Sequence, residues 1–306
     1  CDRRQRQMCI RDRYGRAASP RMQAFLTTRQ NDLLTLPESV ALSTALDAAL
    51  EGAETVIISI GSQSLRSLLG QSELQALRNR TVVLCMKGLE MGTGARLSQI
   101  AAELLHPSNT VAVWLGPGHV QEFYRGIPNC MVIDSENEDV KRRLVQAFSS
   151  DLIRFYYGGD MIGNEVGAAA KNVVGIAAGF LDGFEMSSLK GALMSRGTRE
   201  VARLIKAMGG SELSAYGLCH LGDYEATVFS PYSHNRQFGE SFVRGQDYHQ
   251  LAEGYYTVKA LMLLGQRYGV ELPICKAVHD ILYEQAVPRD MLAGLLRRGL
   301  TEEFYD

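Results

Sequence analysis

The sequence predicts an α/β protein: a Rossmann-like parallel sheet followed by an all-α C-terminal domain. Three observations carry this. Between residues 54 and 157, short β-branched runs alternate with segments of helical length. Beyond residue 159, strand-like runs nearly vanish and helical periodicity takes over. At 306 residues, 46% apolar and 22% charged, the chain has the composition of ordinary globular proteins and the length of two domains or one large one.

Residues 1–13 (CDRRQRQMCIRDR) stand apart, with five Arg, two Asp and no periodicity. They read as a disordered or non-native tail. The segment looks like translated sequencing-adapter read-through, and would then stand in place of the natural N-terminus. The expected strands are Thr55–Ile60, Val82–Met86, Val111–Leu115, Cys130–Ile133 and Leu152–Tyr156. They lack strict alternation, as strands covered on both faces do. The segments between them are long enough for crossover helices, so the sheet is expected to be parallel. Helical periodicity covers 160–181, 188–208, 211–220, 239–267 and 274–285, with Gly, Ser or Pro between. The boundary falls near Gly158-Gly159, giving a sheet domain at 14–158 and a helical domain at 159–306.

Composition also excludes some functions. Thirty-two basic and 34 acidic residues leave a net charge of −2, against a dedicated nucleic-acid binder. No run approaches the ~18 uninterrupted apolar residues of a membrane helix. The N-terminal charges are not followed by the apolar core of a secretory signal. The six cysteines are widely spaced, form no C-x-x-C pair, and read as reduced cytosolic thiols rather than a zinc site.

Open α/β sheets bind ligands beyond the carboxyl ends of their strands, so chemistry is expected there and on the helices that face them. Lys87 follows a strand directly, where a cation can hold an anionic or polar ligand; a solvated strand-end lysine has the same pattern. Gly92-Thr93-Gly94 lacks a third glycine, because Leu97 stands in its place, and reads as an ordinary loop ahead of a helix. Gly116-Pro117-Gly118-His119 follows another strand; glycine there admits close backbone approach, and so does a simple turn.

The segment Gly163 through Gly175 has helical length yet is packed with Gly and Ala, which implies close approach of another helix or a ligand. Lys171 and Asn172 sit inside it. A lysine on a small apolar face is desolvated, its pKa falls, and it suits proton transfer near neutral pH. The pattern fits a lysine snorkelling from a packed helix equally well. Asp223 and Thr227 are four apart, on one face if helical. Ser230 to Arg236 combines Ser, Asn and Arg in a loop broken by Pro231, a pattern suited to an anion, with the Arg fork as its planar donor.

Taken together, Lys87-Gly88, Gly116-Pro117, Gly163 through Asn172, Arg196-Gly197, Leu221-Gly222-Asp223, Ser230-Pro231, Asn235 through Gly239 and Glu253-Gly254 form one ordered set. From about residue 14 onward the chain resembles the bacterial NAD(P)-dependent glycerol-3-phosphate dehydrogenases. The resemblance implies hydride exchange between C2 of glycerol 3-phosphate and NAD or NADP, giving dihydroxyacetone phosphate and serving phospholipid synthesis. It implies Lys171 as proton acceptor, with Asp223 and Lys87 as catalytic partners. Substrate contacts implied are Lys87, Gly116, Asn172, Asp223, Thr227, Ser233, Asn235 and Arg236. Arg16, Lys87, Arg236 and Glu253 would lie near the cofactor. Residues 14–158 would be a partial dinucleotide-binding domain and 159–306 the substrate-binding and catalytic one. A cytoplasmic homodimer with no metal, nucleic acid or membrane span is implied.

The residue chemistry agrees. Neighbouring cations Lys87 and Arg236 would depress the Lys171 pKa, while Asp223 would orient the amine and favour its charged form. Arg236 with Asn235 would bind the phosphate.

Three departures stand out. The family's opening strand and G-x-G-x-x-G have no counterpart ahead of Tyr14-Gly15-Arg16, which resembles the end of the family's second strand. The first βα unit is therefore expected to be missing or replaced, and the chain to bind NAD(P)H poorly. Gly118 stands where Ser or Thr usually follows Gly-Pro, and His234 where Arg usually precedes the Asn. A β-hydroxyacid-type dehydrogenase shares the two-domain layout, but the Ser230–Arg236 cluster argues against it. A substrate-binding remnant without cofactor is the non-enzymatic alternative.

Overall fold

The computed structural model describes residues 11–31, 34–118 and 120–297. β1 (Asp12–Tyr14) leads through α1 (Pro20–Thr28) to β2 (Ala41–Ser43), and the two strands pair in parallel as a small sheet of their own. Helix α1 starts where the Ser19 side chain accepts the Met22 N–H and Pro20 fills the first helical position. Asp12 and Arg13, expected in the tail, are strand residues. Residues 1–10 of that tail, and His119, lie outside the described residues.

After α2 (Leu46–Leu50) comes a five-stranded sheet whose strands lie side by side in chain order: β3 (Thr55–Ile58), β4 (Thr81–Leu84), β5 (Thr110–Leu115), β6 (Asn129–Asp134) and β7 (Ile153–Tyr157). Each lies within two residues of its expected position. Between β3 and β4 run α3 (Leu65–Leu69) and α4 (Ser72–Gln75); then follow α5 (Leu97–Leu104), α6 (Val120–Tyr124) and α7 (Glu138–Phe148), one per connection.

Three of the pairings are parallel, but β5 and β6 are antiparallel, which corrects the all-parallel expectation. The five residues of α6 rise only about 7.5 Å, whereas a six-residue strand runs about 20 Å. That helix does not return the chain along the sheet, and β6 runs back beside β5 in the opposite direction. Val82 and Leu84 pack with Leu65, Leu69 and Ile100 on one face, and Val83 packs with Ile133, Leu144 and Phe155 on the other. Burial on both faces is why these runs do not alternate.

The helical half is built on α8 (Met161–Gly183), about 35 Å long, whose N-terminus is capped by Asp160 accepting the Gly163 N–H. Around it lie α9 (Lys190–Ala207), α10 (His234–Val243), α11 (Glu253–Tyr268), α12 (Pro273–Tyr283) and α13 (Pro288–Leu296). The helix expected over 211–220 is only a 3₁₀ turn at Glu212–Tyr216. The single helix expected over 239–267 is two, α10 and α11, because Gly245 at φ +66° turns the chain out of the first. The small-residue run of α8 is a helix-contact surface: a Cβ on Gly179 would lie 2.1 Å from the Arg236 carbonyl oxygen of α10.

Two contacts place α8 at the sheet. Ala168 and Cys219 enter the core beneath the strands. The buried Glu165 carboxylate accepts the Ser98 N–H at 2.9 Å, capping α5, and pairs with Arg96 at 2.6 Å. Among the described residues, no helix is long and apolar enough to cross a membrane.

Candidate active site

Lys87 and Gly116 lie just past β4 and β5, at the carboxyl edge of the sheet. The Lys87 Nζ donates to the Gly116 carbonyl at 2.6 Å and to Asp223 Oδ2 at 2.6 Å. Gly116 has φ +118°, and a Cβ there would sit 3.1 Å from Met131 Cα, so this turn of the backbone toward the lysine needs glycine.

From the opposite side, α8 brings Lys171, which is buried. Its Nζ donates to Thr227 Oγ1 at 2.5 Å and lies 3.1 Å from Asp223 Oδ2. Asp223 ends a one-turn helix, Leu221–Asp223, and Thr227 sits in the π-helical turn Glu225–Phe229 that follows. The Thr227 hydroxyl donates to the Asp223 carbonyl at 2.7 Å. Asp223 and Thr227 therefore do share a face, and it is the face that meets Lys171.

This arrangement sets the charge of Lys171. Burial pushes its amine from 10.5 down to about 8, Asp223 opposes that, and Lys87 adds to it. The hydrogens can be counted. A neutral Lys171 amine has two, and Thr227 and Asp223 engage both, so its lone pair remains for a ligand proton. The Lys87 ammonium has three, of which Gly116 and Asp223 take two. One is left for a ligand oxygen. Asp223 Oδ1 is buried and has no hydrogen-bond partner among the described residues. A group that can accept a proton, give one hydrogen bond and receive another is what a secondary alcohol or its ketone requires.

A line of amides ties this centre across the cleft. Asn172 Nδ2 donates to the Lys87 carbonyl at 3.1 Å, Asn235 Nδ2 donates to Asn172 Oδ1 at 3.1 Å, and Asn235 Oδ1 accepts the Gly254 N–H at 2.9 Å. Next to Gly254, the Glu253 carboxylate accepts the Ser62 N–H at 2.9 Å and the Ser62 hydroxyl at 2.5 Å. Ser233 caps α10, accepting the Arg236 N–H at 3.3 Å.

Arg236 is not brought to the lysines, which corrects the expectation. Its Nη1 donates to Asp182 at 2.8 Å and Glu240 at 2.9 Å, and its Nε to the Ser230 carbonyl at 3.1 Å. Asp182 stands eleven residues along α8 from Lys171, about 16 Å. Two carboxylates already neutralise the guanidinium, so the cation that depresses Lys171 is Lys87. Arg16 follows β1 and is exposed.

Ser62 and Asp182 were not singled out by the sequence. Ser62 could have been, because it follows Gly61 at the end of β3, as Lys87 and Gly116 follow their strands. Asp182 carries no local signal.

The residues fit the nicotinamide half of a dinucleotide. Gly61-Ser62, Lys87-Gly88 and Gly116 follow consecutive strand ends, on the same sheet edge as the lysine pair. No three-glycine loop stands among the described residues for the pyrophosphate.

The N-terminal region of NAD-dependent glycerol-3-phosphate dehydrogenase matches residues 17–141, and its C-terminal region matches residues 160–293. The chain belongs to this family. Among its relatives, a glycerol-3-phosphate dehydrogenase (NAD(P)+) of Salinibacter ruber is 33% identical over 280 residues, 88% of this chain and 82% of that protein. One from Corynebacterium glutamicum is also 33% identical, over 88% of this chain and 84% of its own. The crystal structure of the glycerol-3-phosphate dehydrogenase of Coxiella burnetii superposes with a TM-score of 0.86 at 26% identity, covering 94% of this chain and 91% of that one. The glycerol-3-phosphate dehydrogenase fold thus extends over both the sheet and the helical half.

Proposed function

We propose that this chain interconverts sn-glycerol 3-phosphate and dihydroxyacetone phosphate with NAD or NADP. The observation that carries the reading is Lys171, a buried amine poised near 8 with its lone pair free and Lys87 and Asp223 beside it. When bound, NAD(P) supplies the hydride acceptor or donor. The neutral Lys171 amine takes the C2 hydroxyl proton during oxidation, and the ammonium returns it during reduction. Lys87 donates its remaining hydrogen to the same oxygen, and Asp223 holds both amines. Asn235 and the first-turn amides of α10 behind Ser233 receive the phosphate, favoured by the positive end of that helix. Glu253 steadies the Gly61-Ser62 turn, which would help hold the nicotinamide end of the cofactor.

Supply of glycerol 3-phosphate to phospholipid synthesis is the role proposed. Assembly as a homodimer and a cytoplasmic location belong to the same reading; the free Cys85, Cys130, Cys219 and Cys275 suit a reducing compartment. The test is initial rates with sn-glycerol 3-phosphate and with 3-hydroxy acids, each with NAD+ and NADP+. Turnover of the phosphorylated alcohol alone is expected. Turnover of 3-hydroxy acids alone would favour the β-hydroxyacid reading, and a fluorescence titration without NADH binding would favour the cofactor-free one.

A further inference from the structure

Behind the Lys171–Asp223 pair lies a buried polar line that the chemistry above does not use. His220 is fully buried, one residue ahead of the turn that ends in Asp223. Its Nδ1 is 2.8 Å from the Gly167 carbonyl oxygen, and its Nε2 is 2.7 Å from the Tyr224 hydroxyl. Tyr224, also fully buried, follows Asp223 directly, and its hydroxyl lies 3.4 Å from Thr198 Oγ1 on α9.

The partners fix the protonation. A carbonyl only accepts, so Nδ1 carries the hydrogen that faces Gly167. Nε2 then accepts the Tyr224 O–H. Burial pushes the imidazole down to about 4 and the phenol upward, so both stay neutral across the working range. The charged groups nearby are Lys171 and Asp223 on the His220 side and Glu200 on the Tyr224 side, with the Cys275 thiol beside it.

Gly167 is one turn before Lys171 on α8, and its carbonyl is the one that pairs with the Lys171 N–H in a regular helix. The His220 hydrogen bond therefore lands on the backbone step that carries Lys171. Tyr224 follows Asp223 directly, and the Asp223 N–H donates to the His220 carbonyl at 3.0 Å, so both clamp residues belong to the turn that carries Asp223. Gly167 makes room: a Cβ there would sit 3.0 Å from His220 Cβ.

We propose that His220 and Tyr224 are positioning residues, a neutral clamp that locks the Asp223 turn to α8 in the register that brings Asp223 to Lys171. Neither touches substrate or cofactor. They act through the Asp223–Lys171 distance, on which both the proton affinity of Lys171 and the alignment of its lone pair depend. The inference rests on the reading of Lys171 as the proton-exchanging group.

The test pairs two readouts on the full chain: nitrogen-15 NMR titration of Lys171 Nζ, assigned with Lys171→Arg, and the pH profile of kcat. Tyr224→Phe removes one oxygen and unpairs Nε2. His220→Leu removes both bonds, and His220→Asn restores a donor toward Gly167. Loss of the clamp lengthens the Asp223 contact. In Tyr224→Phe and His220→Leu the Lys171 titration should therefore fall by about half a pH unit or more. Their kcat should drop about tenfold, while KM for NAD(P) stays put. His220→Asn should lie between His220→Leu and the parent. An unmoved titration and kcat in natively folded Tyr224→Phe would overturn the proposal, and so would His220→Asn behaving as His220→Leu. If His220→Leu does not fold, Tyr224→Phe decides alone. Absence of turnover in the parent, with the NMR titration still shifting in Tyr224→Phe, would overturn the assigned reaction and leave the clamp standing.

Discussion

Asp223→Asn is the most informative single substitution, because it removes one charge from between two amines. Asp223 Oδ2 is 2.6 Å from the Lys87 nitrogen and 3.1 Å from the Lys171 nitrogen, and its side chain is almost fully buried. Lys171 sits near 8 only because this carboxylate opposes burial and Lys87. Loss of an opposite charge at such a distance lowers an amine by about 1–3 pH units, leaving Lys171 near pH ~5–7. The sign follows. Oxidation needs the neutral amine and rises as pH climbs through the Lys171 value. Reduction needs the ammonium and falls there. In the parent both limbs should turn near pH 8; in Asp223→Asn both should move to lower pH. Reduction at neutral pH should suffer more than oxidation. The assay is kcat in each direction by nicotinamide absorbance, from about pH 5 to 10, the span over which such an amine titrates. A lower rate with the turning point still near 8 would refute the role of Asp223 in setting Lys171.

Other outcomes follow from the same geometry. Lys171 is held below its unfolded value of 10.5, at about 8, so the unfolded chain binds more protons between them and folding stability rises with pH across that window. Lys171→Met should abolish that rise, and its Tm advantage over the parent should shrink from pH 8 toward 10.5 in thermal scans. Glu253→Ala removes both Ser62 bonds across the cleft. It should raise KM for NAD(P) well above any change in KM for the substrate, and lower stability by about 1–3 kcal/mol in denaturant titration. Arg236→Lys breaks the Asp182 and Glu240 fork. It should lower Tm while KM for glycerol 3-phosphate stays within about twofold; a tenfold rise in KM at unchanged Tm would return Arg236 to the phosphate.

What the sequence disclosed was local. The β-branched runs from Thr55 to Tyr156 marked the strands because burial on both faces demands continuous apolar residues. The Gly and Ala around Lys171 marked a crowded helix, and α8 does meet the α10 backbone at Gly179. Lys87, Gly116, Asn172, Asp223, Thr227 and Asn235 do meet around one centre. Strand direction was not legible, because a β run reads the same both ways and the β5–β6 connection was long enough for a crossover. Nor was the aim of long side chains. Arg236 was expected at the phosphate, yet Asp182, 54 residues earlier, claims it. Ser62 with Glu253 and His220 with Gly167 are likewise pairs made only by folding.

The central claim, that the Lys171 amine exchanges the proton with the substrate oxygen, is tested most directly by kcat of Lys171→Ala with added small primary amines. The account predicts a loss of ~10²-fold or more, partly restored as the free-base amine concentration rises, with the fold intact. Near-parental turnover without added amine would contradict it.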